Sequence, residues 1–374
     1  MLESLRIENF RKYKDYKIDS FDCVNIILGE NNIGKTSILE AVYAWACGQN
    51  VAPFLNIPLA RGRYGNLRNP YWLMDELLAT VNDRYSLPFK LSFEGKNDGR
   101  DVRFEHIISP SDFLTVFDSA YKNDPYLRAM RVTDTEQNDS SVYMTPMMET
   151  INPTRIAKWE VKHEEETVEV EFTTPQIQIK EMKPYRLAKW IDVFSHISIQ
   201  ENVQIYAALK REKLLQTVVD RMRQVFPEIS GFDMIPYPDG SQSPVCVEKK
   251  DGTTLPMFAY GDGVQKWFYV LGMLTFYKNS IICIDELDSG LHPGAQVSFA
   301  LNMIDNALDN NVQLFTTTHN IEFVDNLLKS VSDHPQKNRI RVITLKDCNG
   351  ELKQRSLSAE EAYKAREDYN LELR

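Results

Sequence analysis

This sequence lacks both a disulfide frame and a metal-binding cysteine pattern. Its five cysteines, Cys23, Cys47, Cys246, Cys283 and Cys348, are scattered, odd in number and nowhere at C-x-x-C separation. That usage excludes a zinc module and suits a reducing compartment. Long hydrophobic runs are missing too: no apolar stretch approaches the length that spans a bilayer, and Met1 to Arg6 does not read as a signal peptide. A cytoplasmic protein without a membrane partner is expected. There is no excess of positive charge. The net charge of -10 argues against a surface that grips nucleic acid throughout and leaves room only for a local basic groove. No heptad pattern is sustained, which excludes long coiled-coil arms, and no internal repeat is found. What remains is 374 residues, 43% hydrophobic and 26% charged, enough to bury a large core. The length suits two or three domains, or one composite domain with an insertion.

The most informative stretch is Gly29-Glu30-Asn31-Asn32-Ile33-Gly34-Lys35-Thr36, a complete G-x-x-x-x-G-K-[ST] phosphate-binding loop. Cys23 to Leu28 ahead of it is a short apolar, β-branched run that reads as a buried strand. Behind it Ile38, Leu39, Val42 and Trp45 recur at helical spacing, and Gly48 is a stop signal. In that context backbone N–H groups and the helix N-terminus face phosphate oxygens, Lys35 reaches the β- and γ-phosphates, and Thr36 holds Mg²⁺. Gly29, Asn31, Asn32, Gly34, Lys35, Thr36 and Ser37 are the expected nucleotide contacts.

Taken in order, Leu5, Ile7 and Asn9-Phe10 open a strand that ends in Arg11-Lys12-Tyr13, and Arg11 is a further candidate contact beside the nucleotide. The basic and aromatic segment from Ala60 to Trp72 reads as a loop, either folded back on the first lobe or available to a partner. Phe89, Leu91 and Phe93 alternate, a turn follows at Asn97-Asp98-Gly99, and Val102, Phe104 and His106 alternate again, so a β-hairpin is expected. From Ser109 to Pro153 the signal fades, with a polar loop at 134–141. Val168, Val170 and Phe172 mark another strand after the acidic run at 164–166. A single amphipathic helix is expected between Tyr206 and Phe226, with Leu215, Val219, Met222 and Phe226 on one stripe. Its basic face can follow a phosphate backbone or simply be solvated.

Ile281-Ile282-Cys283-Ile284-Asp285-Glu286 is an apolar strand ending in two carboxylates. Combined with a phosphate loop it reads as the second half of a hydrolytic site, in which Asp285 holds Mg²⁺ and Glu286 polarises the attacking water. A following strand, Val312 to Phe315, runs into Thr316-Thr317-Thr318-His319-Asn320, where His319 reads as a γ-phosphate sensor. Upstream, Phe258 to Lys266 forms a glycine-bearing turn into a helix that is apolar almost all round. Its N-terminus is a second phosphate-seeking site, and it best serves the nucleotide of another subunit.

With Ile7-Glu8-Asn9-Phe10-Arg11, the Walker A loop, Tyr260-Gly261-Asp262-Gly263, Asp285-Glu286, Asp288-Ser289-Gly290-Leu291-His292-Pro293 and Thr318-His319-Asn320 assembled, the chain resembles the ABC-class ATPases of the RecF, SMC and OLD type. Within that group it looks most like stand-alone OLD-like ATPases of prokaryotic antiphage systems, the PARIS-type ATPase subunit being one example. The resemblance implies an α/β P-loop NTPase of the ABC-ATPase head type, with a mixed sheet, an antiparallel β-subdomain and a helical or insert lobe. It implies lobe I at 1–108, an insertion at 109–199 and lobe II at 200–374. Tyr260, Gly261, Asp262 and Gly263 become signature-like contacts to ATP and Asp288 a D-loop contact, with ATP and Mg²⁺ as cofactors. Two departures stand out. Ala259 occupies the place where the signature motif carries a serine, and the chain ends soon after the strand from Arg339 to Leu345, without the metal-binding nuclease domain of OLD enzymes. The glutamine that should complete the metal site is assigned to Gln200.

Three functions compete on these residues. One is an ATP-hydrolysing switch that forms a homodimer or higher homo-oligomer around ATP·Mg²⁺ and controls a separate effector such as a nuclease, in antiphage defence. Another, favoured by Ala259, is an ATP-locked scaffold with little turnover that stores a toxic partner. The last is a RecF-like repair ATPase that binds DNA, so nucleic acid stays open as a partner. A GTPase is disfavoured, because no N-K-x-D element is present.

Overall fold

The computed structural model describes residues 1–51, 89–110, 155–173, 177–178, 182–237 and 243–369. The basic segment at 60–72 and the polar loop at 134–141 lie outside them. A six-stranded sheet forms the middle of the molecule, in the order β16-β15-β3-β14-β13-β9. Its strands are β3 (Val24–Gly29), β9 (Ala188–Ile191), β13 (Ile281–Ile284), β14 (Gln313–Thr317), β15 (Ile340–Cys348) and β16 (Glu351–Ser358). The pairs β15–β3, β3–β14, β14–β13 and β13–β9 are parallel, and only β16 runs antiparallel. The sheet is covered on both faces, which is why its parallel strands read as unbroken apolar runs. Alternation still sorts them: Ile26, Leu28, Ile282 and Ile284 enter one core, while Ile27, Ile281 and Cys283 enter the other.

The first core is filled from the helices α2 (Ile199–Arg211), α3 (Leu215–Arg223), α5 (Asp262–Phe276), α6 (Pro293–Asp309) and α7 (Ile321–Val331). A short turn of helix, α4 (Met257–Tyr260), precedes α5, and α8 (Ala359–Tyr369) follows the last strand. The second core lies between the central sheet, α1 (Lys35–Cys47) and a seven-stranded antiparallel sheet. That sheet has the order β2-β1-β4-β5-β6-β7-β8, built from β1 (Leu2–Phe10), β2 (Tyr13–Ile18), β4 (Phe89–Asn97), β5 (Arg100–Pro110), β6 (Arg155–His163), β7 (Glu166–Thr173) and β8 (Ile177–Gln178). Being caught between two sheets, α1 is buried from Ile38 to Cys47 all round, where a single apolar stripe is expected from its sequence. Trp45 anchors it, fully buried with its Nε1 donating to the Val102 carbonyl at 3.0 Å. A small third sheet, β10 (Ile229–Met234), β11 (Val245–Lys249) and β12 (Thr254–Pro256), leads into α4.

The hairpin at Asp98-Gly99 forms as expected, both turn residues having positive φ. β6, β7 and β9 all come from the span 109–199, set apart in the sequence as an insertion: β6 and β7 extend the sheet begun by β1, β4 and β5, and β9 joins the central sheet. The single helix expected between Tyr206 and Phe226 is two. α2 ends at Arg211 and α3 begins at Leu215, with Lys213 in the left-handed region (φ 59°) and Leu214 N donating to Leu209 O at 2.8 Å. The strand expected at 339–345 also continues, through Asn349-Gly350, into β16.

Candidate active site

β3, the loop after it and α1 form the strand, loop and helix that the phosphate-loop motif requires. Two of its glycines are there for steric reasons. At Gly29 (φ 146°) a Cβ would stand 2.7 Å from the Leu345 carbonyl oxygen, and at Gly34 (φ 105°) it would stand 2.4 Å from the Tyr13 hydroxyl. Gly34 is the N-cap of α1 and supplies no side-chain cap, so the first-turn N–H groups stay available to an anion. The β1–β2 turn clasps this loop: Lys12 Nζ donates to Asn32 O at 3.2 Å and the Tyr13 hydroxyl to Gly34 O at 3.0 Å. Lys35 folds back along the loop, its Nζ donating to Gly29 O at 2.8 Å and Glu30 O at 2.9 Å. Burial lowers its pKa, and Asp285 and Glu286 oppose that shift.

The parallel register brings β14 between the phosphate-loop strand and β13, so all three end on the same side. There the two motifs meet. Asp285 Oδ1 accepts from the Thr36 hydroxyl at 3.2 Å and from the Thr317 hydroxyl at 2.6 Å, and Thr317 Oγ1 accepts from Glu286 N at 2.9 Å. Glu286 sits in the left-handed region (φ 49°), a conformation that costs a non-glycine residue roughly 1–3 kcal/mol. Its carboxylate is exposed. Among the described residues no three His, Cys, Asp or Glu side chains converge as a metal cage. One carboxylate and one hydroxyl beside a phosphate loop nevertheless fit Mg²⁺, which retains waters and shares phosphate oxygens.

A cavity of about 450 Å³ opens over this strand end, with Lys12, Asn32, Lys35, Thr36 and Asp285 on one side and Asp192, Val193 and Phe194 on the other. Asp192 follows β9, the parallel neighbour of β13, and Ile191 is registered opposite Ile284. Its Oδ1 accepts from Phe194 N at 2.7 Å and from the Ser195 hydroxyl at 3.0 Å, and burial raises its pKa. The sequence reading missed this residue. Its signal is a strand closed by an aspartate, as at Asp285, but β9 carries Lys189 and is half-buried over three of its four residues, whereas the equally short β13 is wholly apolar and buried.

The remaining expected residues are dispersed. Ser37 lines the cavity, while Asn31 is exposed in the loop. Arg11 reaches the cavity wall, yet its guanidinium is bound to the fully buried Glu40, Nε to Oε2 at 2.9 Å. Gln200 is exposed in the first turn of α2 and does not line the cavity, since β9 ends at Ile191 and Asp192 takes the strand-end place. Asp288 is buried, 8% exposed, accepts from the Thr318 hydroxyl at 2.5 Å and does not line the cavity. His319 is exposed just beyond it, at the end of β14. Tyr260, Gly261, Asp262 and Gly263 lie outside the cavity lining. The Tyr260 hydroxyl donates to Glu228, Gln265 Nε2 donates to Asp262 at 3.3 Å, and a Cβ built on Gly261 or Gly263 meets no atom of the described residues within 4 Å.

Residues 175–325 match the family model described as AAA domain, putative AbiEii toxin, Type IV TA system, and residues 1–51 match that of an AAA ATPase domain. The chain is 22% identical over 365 residues to the ATP/GTP phosphatase of Helicobacter pylori, covering 92% of each protein. It is 37% identical over 97 residues to the DNA replication and repair protein RecF of Bacillus cytotoxicus, covering 25% of this chain and 24% of that one. Among solved structures it is similar to an Smc head bound to the C-winged helix domain of ScpA, with a TM-score of 0.51 at 14% identity, covering 97% of this chain and 99% of that one. The fold is therefore that of an ABC-type ATPase head, and the similarity to ATPase families supports nucleotide hydrolysis.

Proposed function

We propose that this protein is an ATP-hydrolysing switch that closes as a homodimer, or within a larger homo-oligomer, around ATP·Mg²⁺ and controls a separate effector. The observation that carries the reading is the junction of the two motifs, Thr36 hydroxyl to Asp285 carboxylate at 3.2 Å, at the mouth of the phosphate-loop cavity. Thr36 and Asp285 would hold Mg²⁺, which when bound neutralises charge on the β- and γ-phosphate oxygens. The N–H groups at the start of α1 and Lys35 take the phosphates, Lys35 releasing the Gly29 and Glu30 carbonyls to do so. Glu286 accepts a proton from the attacking water, and His319, exposed on the adjacent strand end, senses the γ-phosphate. Tyr260 to Gly263 do not line this cavity, and no described atom lies within 4 Å of a Cβ built at either glycine, which supports their use on a partner's nucleotide. By resemblance the setting is antiphage defence, a reading the model match to a putative AbiEii toxin domain favours over housekeeping metabolism.

The test is Glu286→Gln. ATP binding is expected to persist while turnover falls by roughly 10²–10⁴-fold, the usual contribution of a general base. Normal turnover in that variant would remove Glu286 from the role. A second reading, a RecF-like ATPase on DNA, draws on the 97-residue match and predicts DNA binding that weakens steeply with salt.

A further inference from the structure

Lys266 is 3% exposed, in the first turns of α5. Its Nζ donates to the backbone carbonyl oxygens of Ser289, at 2.5 Å, and of Glu286, at 3.4 Å. Both carbonyls belong to the loop that carries the hydrolytic carboxylate. From the other side Thr317 holds the same loop, through Glu286 N to its Oγ1 at 2.9 Å and Leu287 N to its O at 2.9 Å. Ser289 N donates to Glu286 O at 3.1 Å and closes a turn within it. The left-handed Glu286 is thus clamped between β14 and α5.

The ammonium has a third neighbour. Ser195–Ile197 is a 3₁₀ turn following the cavity-lining residues Asp192 to Phe194, and it packs on α5. Its buried His196 is driven down to about 4, by burial first and by the Lys266 charge second, so the imidazole is neutral at neutral pH. Burial lowers Lys266 itself to about 8, with Asp288 and Glu286 opposing. The lysine is therefore charged at neutral pH and spends its charge on carbonyl oxygens. A methionine would fill the same space without the desolvation cost of an ammonium, so the charge itself calls for an account.

We propose that Lys266 is a positioning residue that ties the N-terminal turn of α5 to the Glu286–Ser289 loop, so that Glu286 is aimed only while α5 is seated. Whatever engages Gly261 to Gly263 at the start of α5 then acts on hydrolysis in this chain through one side chain. The inference deepens the reading of Glu286 as the base and rests on it.

The test compares the full-length chain with Lys266→Met, Lys266→Arg and Glu286→Gln, measuring kcat and the Kd for ATP with Mg²⁺. The expected result is a fall in kcat of at least about tenfold in Lys266→Met, with Kd within about twofold of the parent. Lys266→Arg, which keeps the donors, should recover most of that loss. Wild-type kcat in Lys266→Met beside an inactive Glu286→Gln would overturn the proposal. So would a parallel loss of ATP binding, the mark of a merely structural lysine. If Lys266→Met fails to fold, Lys266→Gln takes its place with the same two readings. Normal turnover in Glu286→Gln is a separate result, which sinks the assignment of the base instead.

Discussion

The two glycine-bearing helix N-termini of this chain are built alike and furnished differently. At the start of α1 the loop is enclosed: Gly29 and Gly34 have no room for a Cβ, Tyr13 and Lys12 hold the backbone, and Thr36 is joined to Asp285. At the start of α5 the corresponding turn is open: among the described residues, nothing lies within 4 Å of a Cβ built at Gly261 or Gly263. The difference teaches that the α1 end is tightly enclosed by this chain's own side chains, while the α5 end leaves room that the proposed two-headed closure would use. Gly261, at φ 122° and ψ 158°, is held in a region that only glycine adopts readily, which marks the open turn as shaped rather than merely loose.

The largest effect should come from breaking the enclosed end. Lys35→Ala is expected to abolish ATP binding, measured by titration calorimetry, because it removes the cation that the motif places on the β- and γ-phosphates. The open end should respond differently. A Cβ at Gly263 meets no described atom within 4 Å, so in Gly263→Trp melting temperature and ATP affinity should stay near the parent's, while turnover falls by about tenfold or more as the bulky ring obstructs a partner. Equal turnover in Gly263→Trp would leave the two ends without functional distinction.

Legibility in the sequence followed the same division. The residues at the end of the central sheet could be read because each motif sits on an apolar run with the chemistry at its end, as at Leu28-Gly29 and Ile284-Asp285. Asp192 is not legible in the sequence, because Ala188-Lys189-Trp190-Ile191 ahead of it carries a lysine and is mostly half-buried, unlike the wholly buried run before Asp285. β16 went unread although Asn349-Gly350 is a strong hairpin signal. Its residues Glu351 to Ser356 alternate between exposed and half-buried at the sheet edge and carry little apolar pattern. The break between α2 and α3 has neither proline nor glycine to mark it. The bond that Asp288 accepts comes from Thr318, thirty positions away, and only the paired strands β13 and β14 bring them together.

The smallest effect separates the two cores by pH. His106 in the antiparallel sheet is lowered to about 3 and His196 beside α5 to about 4, both chiefly by burial, and Trp159 Nε1 donates to His106 Nδ1 at 3.2 Å, which requires the neutral ring. Both folded pKa values lie below the unfolded value of about 6.5. The stability they contribute is therefore complete above pH 6.5 and is lost as pH falls toward 4 and then 3, because the unfolded chain binds protons first. At pH 5 each should cost about 2 kcal/mol relative to pH 7. Urea titrations at the two pH values read the sum, and His106→Gln and His196→Gln should each flatten the profile by its own share.

The dimeric switch is tested most directly by the light-scattering mass of Glu286→Gln with and without ATP·Mg²⁺. The account predicts a mass that doubles only when nucleotide and metal are both present. A single-chain mass in both conditions would contradict it.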